Sequence, residues 1–381
     1  MTRRLRLGMV GGGEGAFIGG VHRIAARIDD RYELVAGALS SDVVRAHRSA
    51  AALHIAEARS YGDFRAMALA EAARPDGIDV VAIVTPNHMH AAAAIAFLDA
   101  GIHVICDKPL THTLEDAQAV AAAVERSGRL FGLTHNYTGY PMIRQARAMV
   151  MAGELGAIRV VQAEYPQAWL ATDLEASGQK QAAWRTDPAR SGAAGAVGDI
   201  GTHAFNLAEF VTGLECRFVA AELSRFVPGR RLDDNAHMLL RFEQGARGML
   251  WASQVAAGHD NALALRVYGE TGSLSWRQEV PEELIYAPLG EPPRRLVRGG
   301  PGLGEAAGHA SRLPGGHPEG YLEGFAQIYA DMAEQISARL EGRAADGRAL
   351  LVPGIAQGLR GMRFIAAAVA SSASDAAWTE V

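Results

Sequence analysis

The first 134 residues alternate short apolar runs with helix-patterned stretches, and such a chain buries its strands as a parallel sheet covered by helices on both faces. Residues 5–10 read as the first strand. Gly11-Gly12-Gly13-Glu14-Gly15 follows, then a helix expected to carry Val21, Ile24, Ala25 and Ile28 on one face. Further strands are expected over 32–39, 79–84, 104–106 and 130–134, with helices over 91–100 and 114–126 between the later ones. The pattern predicts an α/β fold with a doubly wound parallel sheet in an N-terminal domain, 1–134.

In such a sheet ligands bind beyond the carboxyl ends of the strands, so the residues just after each strand carry the functional reading. Gly11-x-Gly13-x-x-Ala16 fits the dinucleotide fingerprint: a tight turn, a bare backbone that pyrophosphate can approach, and a small residue where helix and strand meet. After the second strand, where an acid usually holds the adenosine ribose, stand Leu39-Ser40-Ser41 with Arg45 and Arg48 nearby. Hydroxyls suit a ribose 2′-OH and arginines tolerate a 2′-phosphate, so NAD and NADP both remain open. Ser40 to Asp42 also reads as a cap for the next helix. Thr85-Pro86-Asn87-His88-Met89-His90 follows the third strand, and Asp107-Lys108-Pro109 the fourth, where proline cannot continue a ladder.

After residue 134 the strands are no longer separated by helices. Runs over 158–165, 217–226, 236–242, 248–256 and 262–268 predict a mostly antiparallel, open-faced sheet in a second, α+β domain, 135–381. A Gly-, Pro- and Arg-rich loop is expected over 287–318, and helices over 318–340 and 355–371, with the C-terminal helix able to return to the first domain. The glycine-rich segment from Ser191 leads into a helix that places Asp199 and His203 at i and i+4. One face then holds a carboxylate and an imidazole, the elements of a general base near neutral pH.

A net charge of −5 leaves no basic footprint for nucleic acid, and no apolar run is long enough to suggest a membrane span. Two cysteines, Cys106 and Cys216, argue against a disulfide framework and for a reducing, cytoplasmic setting. His88 and His90, two apart without further ligands, make a poor zinc signature, so no metal is expected.

Taken together, the glycine loop, Thr85-Pro86-Asn87-His88, Asp107-Lys108-Pro109 and Asp199-x-x-x-His203 resemble the Gfo/Idh/MocA oxidoreductases over nearly the whole chain. Gly15-Ala16-Phe17-Ile18-Gly19, Cys106-Asp107-Lys108-Pro109, His135-Asn136-Tyr137 and His317-Pro318-Glu319-Gly320-Tyr321 are similar to the branch holding levoglucosan, L-glucose and scyllo-inositol dehydrogenases. The chain departs from the family in having Asp107 where many members have Glu, and in lacking the ribose acid.

The resemblance implies an NAD(P)-dependent oxidation of a secondary hydroxyl of a cyclic polyol, monosaccharide or anhydrosugar. In it Lys108 bonds the hydroxyl, Asp199 assists and His203 takes the proton. It implies cofactor contacts from Gly11, Gly13, Ala16, Phe17, Ile18, Ser40, Ser41, Arg45, Thr85, Pro86, Asn87, His90, Asp107, Lys108, Asn136, Trp184 and Arg185. Tyr137, Gln167, Trp169 and His317, with Lys108, Asp199 and His203, are the candidates for the sugar. It also implies a homodimer or homotetramer and a cis Lys108-Pro109 bond. An NAD-dependent glycosidase using transient oxidation, or a sugar-responsive NAD(P) sensor, are the alternative activities.

Overall fold

A computed structural model describes residues 3–381, which divide into two compact units. One runs to Asn136 and includes Tyr321–Leu359; the other holds Tyr137–Gly320 and Arg360–Val381. The sequence reading places a single boundary after 134, whereas the structure returns Tyr321–Leu359 to the first unit.

In the first unit, β1 (Leu5–Gly11), β2 (Tyr32–Ala38), β3 (Val80–Val84), β4 (His103–Cys106) and β5 (Phe131–Leu133) form a parallel sheet in the order β2-β1-β3-β4-β5. Helices α1 (Phe17–Ile28), α2 (Val43–Ala52), α3 (Phe64–Ala72), α4 (His90–Asp99) and α5 (Leu114–Ser127) make the connections. The strand order reverses between β1 and β3, so the glycine loop after β1 and the Thr85-Pro86 segment after β3 flank the switch point where such sheets bind ligands.

Two local expectations change. Ile24 and Ile28 are 48% and 38% exposed, and the inner face of α1 is Val21, His22, Ala25 and Ala26. The tight helix-to-strand approach expected at Ala16 occurs instead between Gly12 and Gly19: a Cβ at Gly19 would lie 2.3 Å from the Gly12 Cα. Ala16 is the N-cap of α1.

The inner face of α1 meets a helix from far along the chain. Phe325, Tyr329, Met332 and Ile336 of Tyr321–Leu340 share one buried cluster with Val21, Ala25, Leu7, Met9 and Ala82. A long amphipathic stripe packed on the mostly small-residue inner face of α1 explains why this segment belongs to the first unit. No local pattern names the sheet that such a helix will cover.

The second unit is built on a nine-stranded sheet. Its strands are β6 (Ile158–Pro166), β7 (Cys216–Ser224), β8 (Asn235–Phe242), β9 (Arg247–Ser253), β10 (Ala264–Gly269), β11 (Gly272–Arg277), β12 (Glu283–Pro288), β13 (Arg294–Val297) and β14 (Thr379–Glu380). The order is β13-β12-β11-β10-β6-β9-β8-β7-β14, antiparallel except for the parallel β6–β9 pair. Alternation sorts the two faces: Val161, Ala163, Tyr165, Met238, Leu240, Leu250, Val267 and Trp276 are buried, on the side that carries α6 (Pro141–Met151) and α7 (Thr202–Thr212). The expected loop over 287–318 contains β13 and a helix at Glu305–Ala310, and residues 287–288 complete β12. β12 and β13 form an edge hairpin whose pairs, such as Ile285 with Arg295, mix apolar and charged side chains, which hides the strand period.

Candidate active site

The glycine loop suits a dinucleotide. Gly13 N–H donates to the Leu39 carbonyl at 3.1 Å, drawing the loop to the end of β2, and Glu14 N–H donates to Ser49 Oγ at 3.1 Å. The amino ends of α2, α3 and α5 are capped by Asp42, Asp63 and Thr113, whereas α1 has no side-chain cap and no acid in its first turn. Its leading N–H groups and dipole therefore suit a phosphate. Phe17 opens this helix at 68% exposure, and Ile18 is partly buried against the core. At the end of β2, Ser40 Oγ accepts the Asp42 N–H at 3.1 Å, and Asp42 takes the Arg45 N–H at 2.7 Å. The cap reading therefore holds here. Arg48 is paired with Glu14 across the loop, Nε to Oε2 at 2.8 Å.

Beyond β4 the chain turns through a cis Lys108-Pro109 bond. The Asp107 carboxylate accepts the Lys108 N–H at 3.0 Å and the Thr134 hydroxyl at 2.8 Å, both through Oδ1. Burial disfavours its ionisation, but His22, then Lys108 and His90, hold it below the usual carboxylate range. Burial and the Lys108 charge lower His135 to about 3, so its ring is neutral at physiological pH. His90 is 1% exposed, and its ring nitrogens lie 2.9 Å from the Pro109 and Thr85 carbonyls, so the ring packs the lysine turn against the β3 loop. Asn87 and Asn136 are also buried.

The second unit assembles its own cluster. Asp199 lies in a π-helical turn, Val197–Gly201, that runs directly into α7 carrying His203; a wider turn replaces the expected regular helix. Asp233, which the sequence reading missed, anchors this entry: its carboxylate accepts the Gly195 and Val197 N–H groups at 2.6 and 2.9 Å. A Cβ at Gly195 would lie 2.1 Å from the Asp233 carbonyl oxygen, so only glycine fits there. Asp199 Oδ2 receives Gln254 Nε2 at 2.8 Å and faces Arg185 Nε at 3.3 Å. His203 is 7% exposed, edge-on to Tyr137 at 4.9 Å and to Tyr165 at 6.2 Å between ring centres.

Asn261 joins the polar side chains around these rings. Its Oδ1 accepts from the Tyr165 hydroxyl and from Gln167 Nε2, each at 2.7 Å, and its Nδ2 donates to the Tyr137 hydroxyl at 3.4 Å. The two tyrosine hydroxyls are also bonded to each other. Burial raises the Tyr137 pKa, so it remains a hydroxyl. Arg185 lies 4.3 Å from the Trp184 ring and 6.0 Å from the Trp169 ring. Gln167 and Trp169 follow β6 in a segment held to the end of β9 by Gln167 N–H to the Ser253 carbonyl at 2.7 Å and Leu170 N–H to the Gln254 carbonyl at 3.1 Å. Tyr137, Gln167, Trp169, Arg185, Asp199 and His203 are thus brought together, with Tyr165, Gln254 and Asn261 added. His317 is not linked to this group: its ring is exposed beside the Pro314 carbonyl at 3.3 Å, and its own carbonyl is bound by Arg298.

Two family models match along the chain: an oxidoreductase-family NAD-binding Rossmann fold over residues 5–135, and a GFO/IDH/MocA C-terminal domain over 143–275. The chain belongs to the Gfo/Idh/MocA family. Its first unit is an NAD-binding Rossmann domain. An oxidoreductase structure from Sinorhizobium meliloti is 54% identical, with a TM-score of 0.91 and 99% of each chain covered. An inositol dehydrogenase homologue from Azotobacter vinelandii, solved with NADH and myo-inositol, is 35% identical with a TM-score of 0.92, covering 100% of this chain and 98% of its own. Levoglucosan dehydrogenase of Pseudarthrobacter phenanthrenivorans is 31% identical over 75% of this chain and 76% of its own.

Proposed function

We propose that the protein oxidises a secondary hydroxyl of a cyclic polyol, monosaccharide or anhydrosugar to a ketone. The observation that carries this reading is the second-unit cluster, where a buried imidazole lies among hydroxyl, amide and aromatic groups that suit the alternating polar and apolar edges of such a ring. His203 takes the hydroxyl proton, with Asp199 and Arg185 setting the charge beside it. The Lys108 ammonium, beyond the end of β4, suits negative charge developing on a reacting oxygen. When bound, NAD supplies the hydride acceptor for the carbon-bound hydrogen. Thr85, Pro86, Asn136, Trp184 and Arg185 contact the cofactor, and Tyr137, Gln167 and Trp169 the sugar.

A screen of inositols, hexoses and 1,6-anhydrosugars with NAD and NADP, read by absorbance of the reduced cofactor, tests this. We expect a member of the panel to be oxidised, with NAD favoured by about tenfold or more in kcat/KM, a difference of about 1.4 kcal/mol. Glu14 carries its negative charge beside Arg48, one of the two arginines that would otherwise receive a 2′-phosphate. NADH binding with no oxidation across the panel would overturn the assignment.

The open sheet face presents Val160, Phe218, Leu239, Met249, Tyr268 and Ile285, each at least 36% exposed. Leu239 and Met249 are direct cross-strand partners, as are Val160 and Tyr268. We propose that a second copy covers this face, because such a surface is expensive to leave in water. Sedimentation should give a dimer or tetramer that dissociates in Leu239→Lys/Met249→Glu; a wild-type monomer would refute it. No helix among the described residues is long and apolar enough to cross a membrane, and Cys106 and Cys216 are free and buried, which supports a reducing, cytoplasmic setting.

A further inference from the structure

His22 occupies the inner face of α1, fully buried, in a position the helical pattern would give to an aliphatic residue. Its Nδ1 lies 2.9 Å from the Tyr329 hydroxyl, and its Nε2 lies 3.8 Å from Asp107 Oδ1. A bare Nε2 lone pair aimed at a carboxylate would be repelled, so the ring hydrogen belongs on Nε2. Nδ1 is then the acceptor and the Tyr329 hydroxyl its donor. Burial, reinforced by the Asp107 charge, pushes the Tyr329 pKa far up and keeps that hydroxyl protonated. Tyr329 is held in turn: its carbonyl accepts the Tyr32 hydroxyl at 2.8 Å, and the two rings meet edge-on at 5.4 Å.

Asp107 Oδ1 is the meeting point of this chain. It faces His22 from α1, accepts the Lys108 N–H and the Thr134 hydroxyl, and feels His90 from α4. His135, after β5, and the buried Cys106 thiol, on β4, complete the titratable groups around it. A carboxylate bonded to the lysine's own N–H fixes the direction in which the chain leaves β4. We propose that His22 is a positioning residue for Lys108, acting through Asp107, with its tautomer set by the Asp107 carboxylate and its Nδ1 held by the Tyr329 hydroxyl. The inference rests on the reading of Lys108 as the group that stabilises the reacting oxygen.

The test uses the full-length protein with His22→Phe, Tyr329→Phe and Asp107→Asn, and His22→Gln as the conservative variant. Nitrogen-15 spectra of the ring should show Nε2–H with Nδ1 as acceptor, and Tyr329→Phe should abolish the Nδ1 acceptor signature. His22→Phe should lower kcat about tenfold, as expected for a misdirected catalytic group, with NADH affinity by fluorescence unchanged within about twofold. His22→Gln should restore part of kcat, and His22→Phe combined with Asp107→Asn should lose no more than Asp107→Asn alone. An Nδ1–H tautomer, multiplied losses in the double variant, or a kcat loss matched by weakened NADH binding would overturn the proposal. The ring spectrum and the NADH titration need no sugar. If no sugar were oxidised, the proposed function would fail while the state of His22 was still decided.

Discussion

Lys108→Ala is expected to lower kcat for polyol oxidation by about 10²- to 10³-fold while NADH still binds, the loss typical of removing one preorganised donor from a developing oxyanion. The expectation follows from how the side chain is supported. β4 is completely buried, Asp107 takes the Lys108 N–H, and the buried His90 ring packs between the Pro109 and Thr85 carbonyls, donating its one N–H to one of them. The backbone carrying the lysine is therefore held independently of its ammonium group, and alanine removes the charge without loosening the turn. Lys108→Arg should not restore wild-type turnover. A planar guanidinium presents its charge in a different shape and at a different reach from a compact ammonium. Steady-state kcat, with NADH fluorescence as the folding control, checks both variants; near-wild-type turnover in the alanine variant would refute the assignment.

His203→Ala should cost about 10²- to 10⁴-fold in kcat, the range for loss of a positioned general base. The sign with pH is set by the chemistry: the ring must be unprotonated to accept the hydroxyl proton, so wild-type turnover falls as pH is lowered. That acid limb should disappear in the variant, and added imidazole should restore part of the rate. The space vacated lies against the Tyr137 and Tyr165 rings, which can receive a free imidazole in a similar edge-on arrangement. An unchanged acid limb in His203→Ala would move the base elsewhere, with Tyr137 the next residue to test because its hydroxyl is bonded to Tyr165 and Asn261.

Much of the first unit was legible because its signals are local. Apolar runs such as 80–84 and 103–106 mark buried parallel strands, and each glycine or Asp-Lys-Pro signal stands directly after its strand. The face of α1 was misjudged at Ile24 and Ile28 because His22 is polar by composition yet buried, its partner Tyr329 lying 307 positions away. The strands over 283–297 were missed for a related reason: in this edge hairpin, charged and apolar residues alternate irregularly.

The second-unit cluster divides in the same way. Asp199 and His203 are visible as a spaced pair, and Tyr137, Gln167 and Trp169 as polar or aromatic residues beside predicted elements. Asn261 carries no signal, being a single amide between two strands, yet it joins Tyr165 and Gln167 from 96 and 94 positions away. Asp233 is equally silent, although its carboxylate holds the entry to the helix of His203 from 38 and 36 positions away.

By itself, then, the sequence determined the strand-and-helix alternation of the first unit, the glycine loop for a dinucleotide and the family. Those depend on neighbouring residues and on side-chain periods of two and 3.6. Only the tertiary structure decided that Tyr321–Leu340 covers α1, that His22 faces Asp107, and that Asn261 and Asp233 hold together the groups around His203. A buried polar group must find its partner wherever the chain crosses it, and that crossing exists only after folding.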